Sequence, residues 1–115
     1  MIWKRQFSIQ DINRLGADTL VAHLGITFME KGENFLTASM PVDHRTRQPM
    51  GLLHGGASVA LSETLGSTAS YLTLAEGERS VGQEINANHI KRIREGRVTG
   101  RVTPVHLGRT TQVWN

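Results

Sequence analysis

Residues 54–67 read HGGASVALSETLGS. A histidine and two glycines open a run of small and apolar residues, with one glutamate in its middle. Between His54 and Tyr71, Glu63 is the only acidic residue, and there is no lysine or arginine. The stretch predicts a long helix that AEGERS closes downstream. At about 100° per residue, Ala57, Leu61, Leu65, Thr68 and Leu72 share one stripe, which should pack on a sheet. Ala60, Glu63, Ser67, Ser70 and Tyr71 fall on the opposite side. A solvent-facing stripe normally carries several Lys, Glu or Arg residues, whereas this one carries a single glutamate among mostly small side chains. Small side chains let another backbone approach, so the second face is expected to be covered too, most simply by another copy of the chain.

On that reading Glu63 is largely buried, and a buried carboxylate without a cationic partner is a candidate functional group. The plainer alternative is a glutamate solvated in a groove or making one structural hydrogen bond. His54 precedes Glu63 by nine positions. In one continuous helix the two would sit about 13 Å apart along the axis and on opposite sides. They cannot act on one substrate from the same helix, so a shared site would need Glu63 from another subunit. A helix start with Gly55 and Gly56 also offers unshielded backbone N–H groups and the positive end of the helix dipole. Those features suit a developing oxyanion. A glycine pair that merely lets a loop enter a helix would look the same.

Upstream, Ser8 is a good N-cap for IQDINRLG, with Asp11 placed as in a capping box and Gly16 as a stop. A short helical turn at DTLVAHLG follows. ITFMEKGENFLTASMPV then reads as a hairpin: Ile26 and Phe28 share a face, Lys31-Gly32-Glu33-Asn34 turn, and Leu36, Ala38 and Met40 alternate with Thr37 and Ser39. DHRTRQPMGLL, with Pro49 and Gly51, is a loop. Beyond the long helix, SVGQEINANHIKRI alternates loosely as a strand. Glu95-Gly96 turns into RVTGRVTPV, where Pro104 is tolerable only at an edge or strand end. HLGR is a loop, and TTQVWN begins another strand. Short helix, two strands, long helix and three strands make an α+β domain in which one helix covers one sheet.

The chain of 115 residues falls within the ~100–200 typical of one domain. Lys+Arg 13 minus Asp+Glu 10 gives +3, a mild excess that suits an anionic ligand without demanding one. With no cysteine, disulfides and thiolate zinc sites are excluded. His23 and His44 have no spacing that argues for a metal. The N-terminus, MIWKRQFSIQ, lacks the apolar core of a signal peptide, and no apolar run is long enough to span a membrane; the expected location is cytoplasmic. The basic residues are scattered and aromatics are 5%, which argues against nucleic-acid binding.

Three segments together, QPMGLLHGGASVALSETLGS, VGQEINANHIKRIREGRV and HLGRTTQVW, resemble the hotdog-fold acyl-CoA thioesterases. The chain is most similar to the glutamate-dependent 4-hydroxybenzoyl-CoA thioesterase type, and within it to the 1,4-dihydroxy-2-naphthoyl-CoA thioesterases and the enterobactin-pathway proofreading thioesterases. The resemblance starts at MIWKR and covers essentially the whole chain. It implies a single hotdog domain over residues 1–115, with an antiparallel sheet wrapped around one long central helix. It also implies dimers joined edge to edge, assembling to homotetramers, with the site between subunits. In the family the strand beginning at TTQVW runs on and another pairs after it, so the domain is expected to be short at its C-terminus and to lack its last strand.

Carried over residue by residue, the resemblance makes Glu63 the catalytic carboxylate, as nucleophile or as general base on water. Gln48 and His54 position or polarise the thioester carbonyl, the Gly55 N–H holds its oxyanion, and Ser67 bonds the attacking water or the aryl group. For coenzyme A it implies Gly82 near the thioester, His89, Ile90, Lys91 and Arg92, and then His106, Leu107, Gly108, Arg109, Thr110 and Thr111. The chemistry is consistent, since coenzyme A is polyanionic and Lys91, Arg92 and Arg109 can pair with phosphates. Any one of these basic residues could equally be a solvated surface charge. No metal and no cofactor is expected beyond the coenzyme A of the substrate.

The leading expectation is hydrolysis of an aromatic acyl-CoA, foremost 1,4-dihydroxy-2-naphthoyl-CoA of menaquinone biosynthesis. The alternative is proofreading of misacylated aryl carrier protein in siderophore synthesis. HIKRIREG is more like the first group, while VAHLGI and HLGR are more like the second. A non-catalytic acyl-CoA-binding protein is a reading of another class. Hotdog dehydratases need a differently placed histidine paired with an acidic helix residue, an arrangement absent here.

Overall fold

The elements run α1 (Ile9–Leu15), α2 (Leu20–His23), β1 (Thr27–Lys31), β2 (Leu36–Pro41), α3 (Gly55–Thr73), β3 (Arg97–Val102), β4 (Pro104–Leu107) and β5 (Gln112–Trp114), in a computed structural model that describes residues 1–115. α1 begins with the capping box read from its sequence: Ser8 Oγ accepts from the Asp11 N–H, and the Asp11 carboxylate accepts from the Ser8 N–H. Gly16 ends the helix. From α1 the Asn13 amide reaches β1, accepting from the Phe28 N–H at 2.8 Å and donating to the Phe28 carbonyl at 3.1 Å. That side chain satisfies backbone groups of β1 that have no ladder partner on that side.

β1, β2 and β3 form an antiparallel sheet with β2 in the middle. The register runs from Leu36 opposite Val102 to Pro41 opposite Arg97, and a bulge between Phe28 and Glu30 interrupts the first pair. Leu36, Ala38 and Met40 are fully buried, as the alternation predicts. Ser39, on the other face, is buried as well, because the Arg97 guanidinium covers it and donates to its hydroxyl at 2.9 Å. The β3 strand continues past Thr103, which exchanges both backbone hydrogen bonds with Asn115 at 2.8 Å each, and β4 and β5 pair as a hairpin beyond. Pro104 opens β4, a position that asks for no ladder donor.

α3 is one unbroken helix lying on this sheet. Ala57, Leu61, Leu65, Ala69 and Leu72 form its buried stripe and share one core with β1, β2 and β3. The approach is close at Gly100, where a Cβ would come within 2.6 Å of Leu65 Cδ1. The N-terminal segment locks the helix end: Arg5 donates to the carbonyls of Leu74, Ala75 and Glu78 and lies over the Tyr71 ring. A cation there meets both the free carbonyls and the negative end of the helix dipole. Trp3 donates to the Gly32 carbonyl and stacks on Trp114. An antiparallel sheet folded against one long helix is the α+β hotdog arrangement.

Four expectations change. Ala69 is buried where the stripe was expected to pass through Thr68, which is half-buried; a step of four rather than three keeps the stripe on the twisted sheet. Ser70, expected on the outer face, is buried because its hydroxyl pairs with Ser80 Oγ at 2.8 Å. His106 and Leu107 end β4 rather than lying in the loop, which spans 108–111. Residues 80–93 belong to no strand. Alternation makes a segment able to pair, but a strand exists only with a ladder. The one backbone hydrogen bond from 80–93 to another segment runs from the Leu53 N–H to the Ile93 carbonyl.

Candidate active site

The helix start is built by the loop before it. Thr46 is buried and its hydroxyl donates to the Pro41 carbonyl at 2.7 Å, while the His54 N–H donates to the Thr46 carbonyl at 2.8 Å. These bonds tie the end of β2 to the N-cap of the helix. His54 is the N-cap of α3, and its Nδ1 accepts from the Gly56 N–H at 2.7 Å. With Nδ1 used as an acceptor, a neutral imidazole carries its proton on Nε2, which is left free to donate. The Gly55 N–H has no partner in the chain.

Both glycines make room for an imidazole. A Cβ on Gly56 would lie 2.9 Å from the His54 ring, and a Cβ on Gly55 would lie 3.0 Å from His89 Nε2. The sequence reading of a helix start with exposed donors therefore gains a second histidine that spacing alone did not place there. Gln48 stands beside them. Its side-chain oxygen is taken by the Met50 N–H, so its NH₂ group is the part left to meet a carbonyl oxygen.

Gln48, Gly55 and His89 border a cleft of about 460 Å³ between the start of α3 and residues 87–93, and His54 stands next to it without lining it. Gln48, Gly55, His89, Ile90 and Lys91 from the sequence assignment all line it. The apolar part comes from Leu53, Ala87, Ile90, Ile93 and Val98. Ser58, Ser62 and Asn88 line it too and were missed. Steps of three and four from Gly55 reach Ser58 and then Ser62, so helical periodicity could have found the two serines, whereas nothing local marks Asn88.

Glu63 stands apart from this cleft, further along the same unbroken helix. It is half-buried rather than largely buried, and its Oε1 accepts from the Ser67 hydroxyl one turn on at 2.8 Å. The remaining cover is the chain's own: residues 80–93 run along this side of α3, from Ser80 at Ser70, through Gly82 at Glu63, to His89 at Gly55. Covering of this face thus comes at least in part from the same chain, where the sequence reading looked to another copy.

Arg92 is exposed. His106, Leu107, Gly108, Arg109, Thr110 and Thr111 sit on the β4–β5 hairpin, which closes with a bond from the Gly108 N–H to the Thr111 carbonyl and docks by Gln112 on Thr73 at the far end of α3. Within one chain the hairpin and the cleft therefore lie at opposite ends of the helix. Lys91, Arg92 and Arg109 form no ion pair; the chain's ion pairs are Met1–Glu33, Arg14–Asp11 and Arg45–Asp43. The displaced carboxylate pKa values are also elsewhere. The Arg45 guanidinium holds Asp43 well below the usual carboxylate range, and the Ser8 N–H lowers Asp11. No three His, Asp or Glu side chains converge as metal ligands, and no helix is long and apolar enough to cross a membrane.

Residues 50–115 match the thioesterase superfamily. Proofreading thioesterase EntH of Cronobacter turicensis is 53% identical over 114 residues, 99% of this chain and 83% of that protein; its namesake in Cronobacter sakazakii is 52% identical over 114 residues. The crystal structure of a thioesterase from Haemophilus influenzae superposes with a TM-score of 0.97 at 54% identity, covering 99% of this chain and 80% of that one. A glutamine-to-alanine variant of a Pseudomonas aeruginosa thioesterase superposes with a TM-score of 0.96 at 48% identity, covering 99% and 83%.

Proposed function

The chain belongs to the thioesterase superfamily and is an enzyme of that kind, and on that premise we propose that it hydrolyses an aromatic acyl thioester, with Glu63 as the catalytic carboxylate. The observation that carries the reading is the setting of Glu63. It is the only charged side chain on α3, half-buried and hydrogen-bonded by Ser67. In this reading the carboxylate either takes a proton from water, whose oxygen attacks the carbonyl carbon, or attacks that carbon itself to give an anhydride that water cleaves. In both routes the C–S bond breaks and coenzyme A leaves as a thiol.

The free Gly55 N–H, the Nε2–H of His54 and the NH₂ of Gln48 supply donors for the carbonyl oxygen as it gains negative charge. They serve the carbonyl best where it is held at the start of α3, about 13 Å along the axis from Glu63 of the same helix. A complete site then takes the donors from one copy and Glu63 with Ser67 from another, in a homodimer that assembles further to a homotetramer. The unpaired cations Lys91, Arg92 and Arg109 suit the phosphates of coenzyme A. No cofactor enters this chemistry, and the reading places the enzyme in the cytoplasm.

For the acyl group, 1,4-dihydroxy-2-naphthoyl-CoA of menaquinone biosynthesis is one reading. A specific finding favours the other, hydrolysis of misacylated aryl carrier protein: the two Cronobacter relatives are named proofreading thioesterases. Thiol release measured on matched aryl-CoA and aryl-carrier-protein thioesters decides between them by which series has the higher kcat/KM. In the same assay Glu63→Gln should lower benzoyl-CoA turnover by about 10²–10⁴-fold while coenzyme A still binds; unchanged turnover removes Glu63 from the chemistry. Mixing Glu63→Gln with His54→Ala chains tests the shared site. In mixed dimers one of two sites is intact, so activity should recover to about a quarter of wild type, and absence of recovery places both residues in one chain's site.

A further inference from the structure

The family resemblance makes Gly82 a contact for the thioester. We propose a different role: Gly82 is a positioning residue for Glu63, and its missing side chain is the space in which the carboxylate is seated. The inference rests on the reading of Glu63 as the catalytic carboxylate.

Backbone conformation does not call for glycine here. The glycines with positive φ are Gly25, Gly51, Gly77 and Gly96, so any residue could adopt the local geometry of position 82. What excludes a side chain is the carboxylate. The three nearest heavy atoms to a Cβ built on Gly82 all belong to Glu63: Oε1, which it would overlap, Cδ at 3.2 Å and Oε2 at 3.5 Å. Ser67 holds Oε1 from the helix side, and Ser80 is pinned to Ser70 two residues before Gly82. The carboxylate is therefore seated between a hydroxyl on its own helix and a bare Cα on the segment that crosses it.

The obstacle is the far end of a flexible side chain, so a methyl group at 82 displaces Glu63 rather than the backbone. The cost falls on the placement of the reacting group, and the fold is spared. Gly100 shows the opposite case, since a Cβ there meets Leu65 inside the core. A displacement of about 1 Å in a reacting group can cost about 10²-fold in rate. Gly82→Ala should accordingly lower kcat for benzoyl-CoA by about 10- to 100-fold, with KM and melting temperature close to wild type. In a Glu63→Asp background, where the carboxylate is drawn back by one methylene, the same substitution should cost about threefold or less.

The experiment measures kcat, KM and melting temperature for wild type, Gly82→Ala, Glu63→Asp, the double variant and Glu63→Gln. Loss of kcat in Gly82→Ala that is relieved by Glu63→Asp is the expected result. Wild-type kcat in Gly82→Ala, an equal loss in both backgrounds, or a fall in melting temperature overturns the positioning role. Full activity in Glu63→Gln overturns instead the reading of Glu63 on which the inference rests, so the two failures are told apart.

Discussion

Residues 36–41 and residues 81–92 both mix apolar with polar side chains, and both read as strands in the sequence. The first is the middle strand of a sheet, hydrogen-bonded on both edges, with Leu36, Ala38 and Met40 fully buried. The second makes no backbone hydrogen bond to any other segment of the chain and is exposed along its length, with Val81 91% and Ile90 92% accessible. Local sequence scarcely separates them. What separates them is partners: β2 has β1, β3 and the helix, whereas 81–92 has one flank of α3. The segment without a ladder is also the one that carries Gly82 and His89 to two separate places on α3, the first against Glu63 and the second against Gly55.

The contrast can be broken or sharpened by substitution. Leu36→Ala empties a fully buried position and should cost about 2–5 kcal/mol of stability, read by urea unfolding; a loss under about 1 kcal/mol would mean that β2 is less central than its burial shows. Thr46→Ala removes the buried hydroxyl that ties β2 to the start of α3 and should cost about 1–3 kcal/mol. Val81→Ala should lie within about 0.5 kcal/mol of wild type in the monomer. If the proposed dimer uses this free edge, amide exchange of residues 81–92 should slow as protein concentration rises, while residues 36–41 stay protected throughout. Exchange of 81–92 that is fast at every concentration would remove that edge from the dimer.

The smallest effect is electrostatic. Asp43 is ionised more readily in the folded chain because Arg45 bonds it, so its stabilising contribution is present above the ordinary carboxylate pKa. It fades as pH falls below about 4. The pair is solvent-accessible and screened. Asp43→Asn should therefore flatten the acid limb of the unfolding curve slightly, and an unchanged limb would show that the pair contributes nothing.

Much of the fold was legible because its signals are local. Ser8 with Asp11 predicts a helix start from four residues, and the pattern of Leu36, Ala38 and Met40 predicts a buried face from five. Ala57, Leu61, Leu65 and Leu72 of the α3 stripe follow from helical periodicity, and the isolation of Glu63 from the uncharged residues around it. Sequence was less able to say which segments meet. It read 80–93 as a strand, passed the helix stripe through Thr68 instead of Ala69, and put Ser70 outside, because each of these depends on a neighbour far away along the chain. In the site, His54 and Gly55 were singled out from their place at the helix start, and Gln48 only through the family resemblance. Ser58 and Ser62 were within reach of the same periodicity, while Asn88 and the seat of His89 on Gly55 were not.

By itself the sequence determined an unbroken helix that begins with His54 and two glycines and carries one carboxylate nine positions later. That is enough to separate the two chemical groups, since a rise of about 1.5 Å per residue is a property of any helix. Only the tertiary structure decided why the glycines are there. Gly56 clears the His54 ring, Gly55 clears His89, and Gly82 clears Glu63. At Gly55 and Gly82 the exclusion is set by what arrives from elsewhere in the chain, which no local pattern encodes, whereas at Gly56 it is set by a ring two residues away.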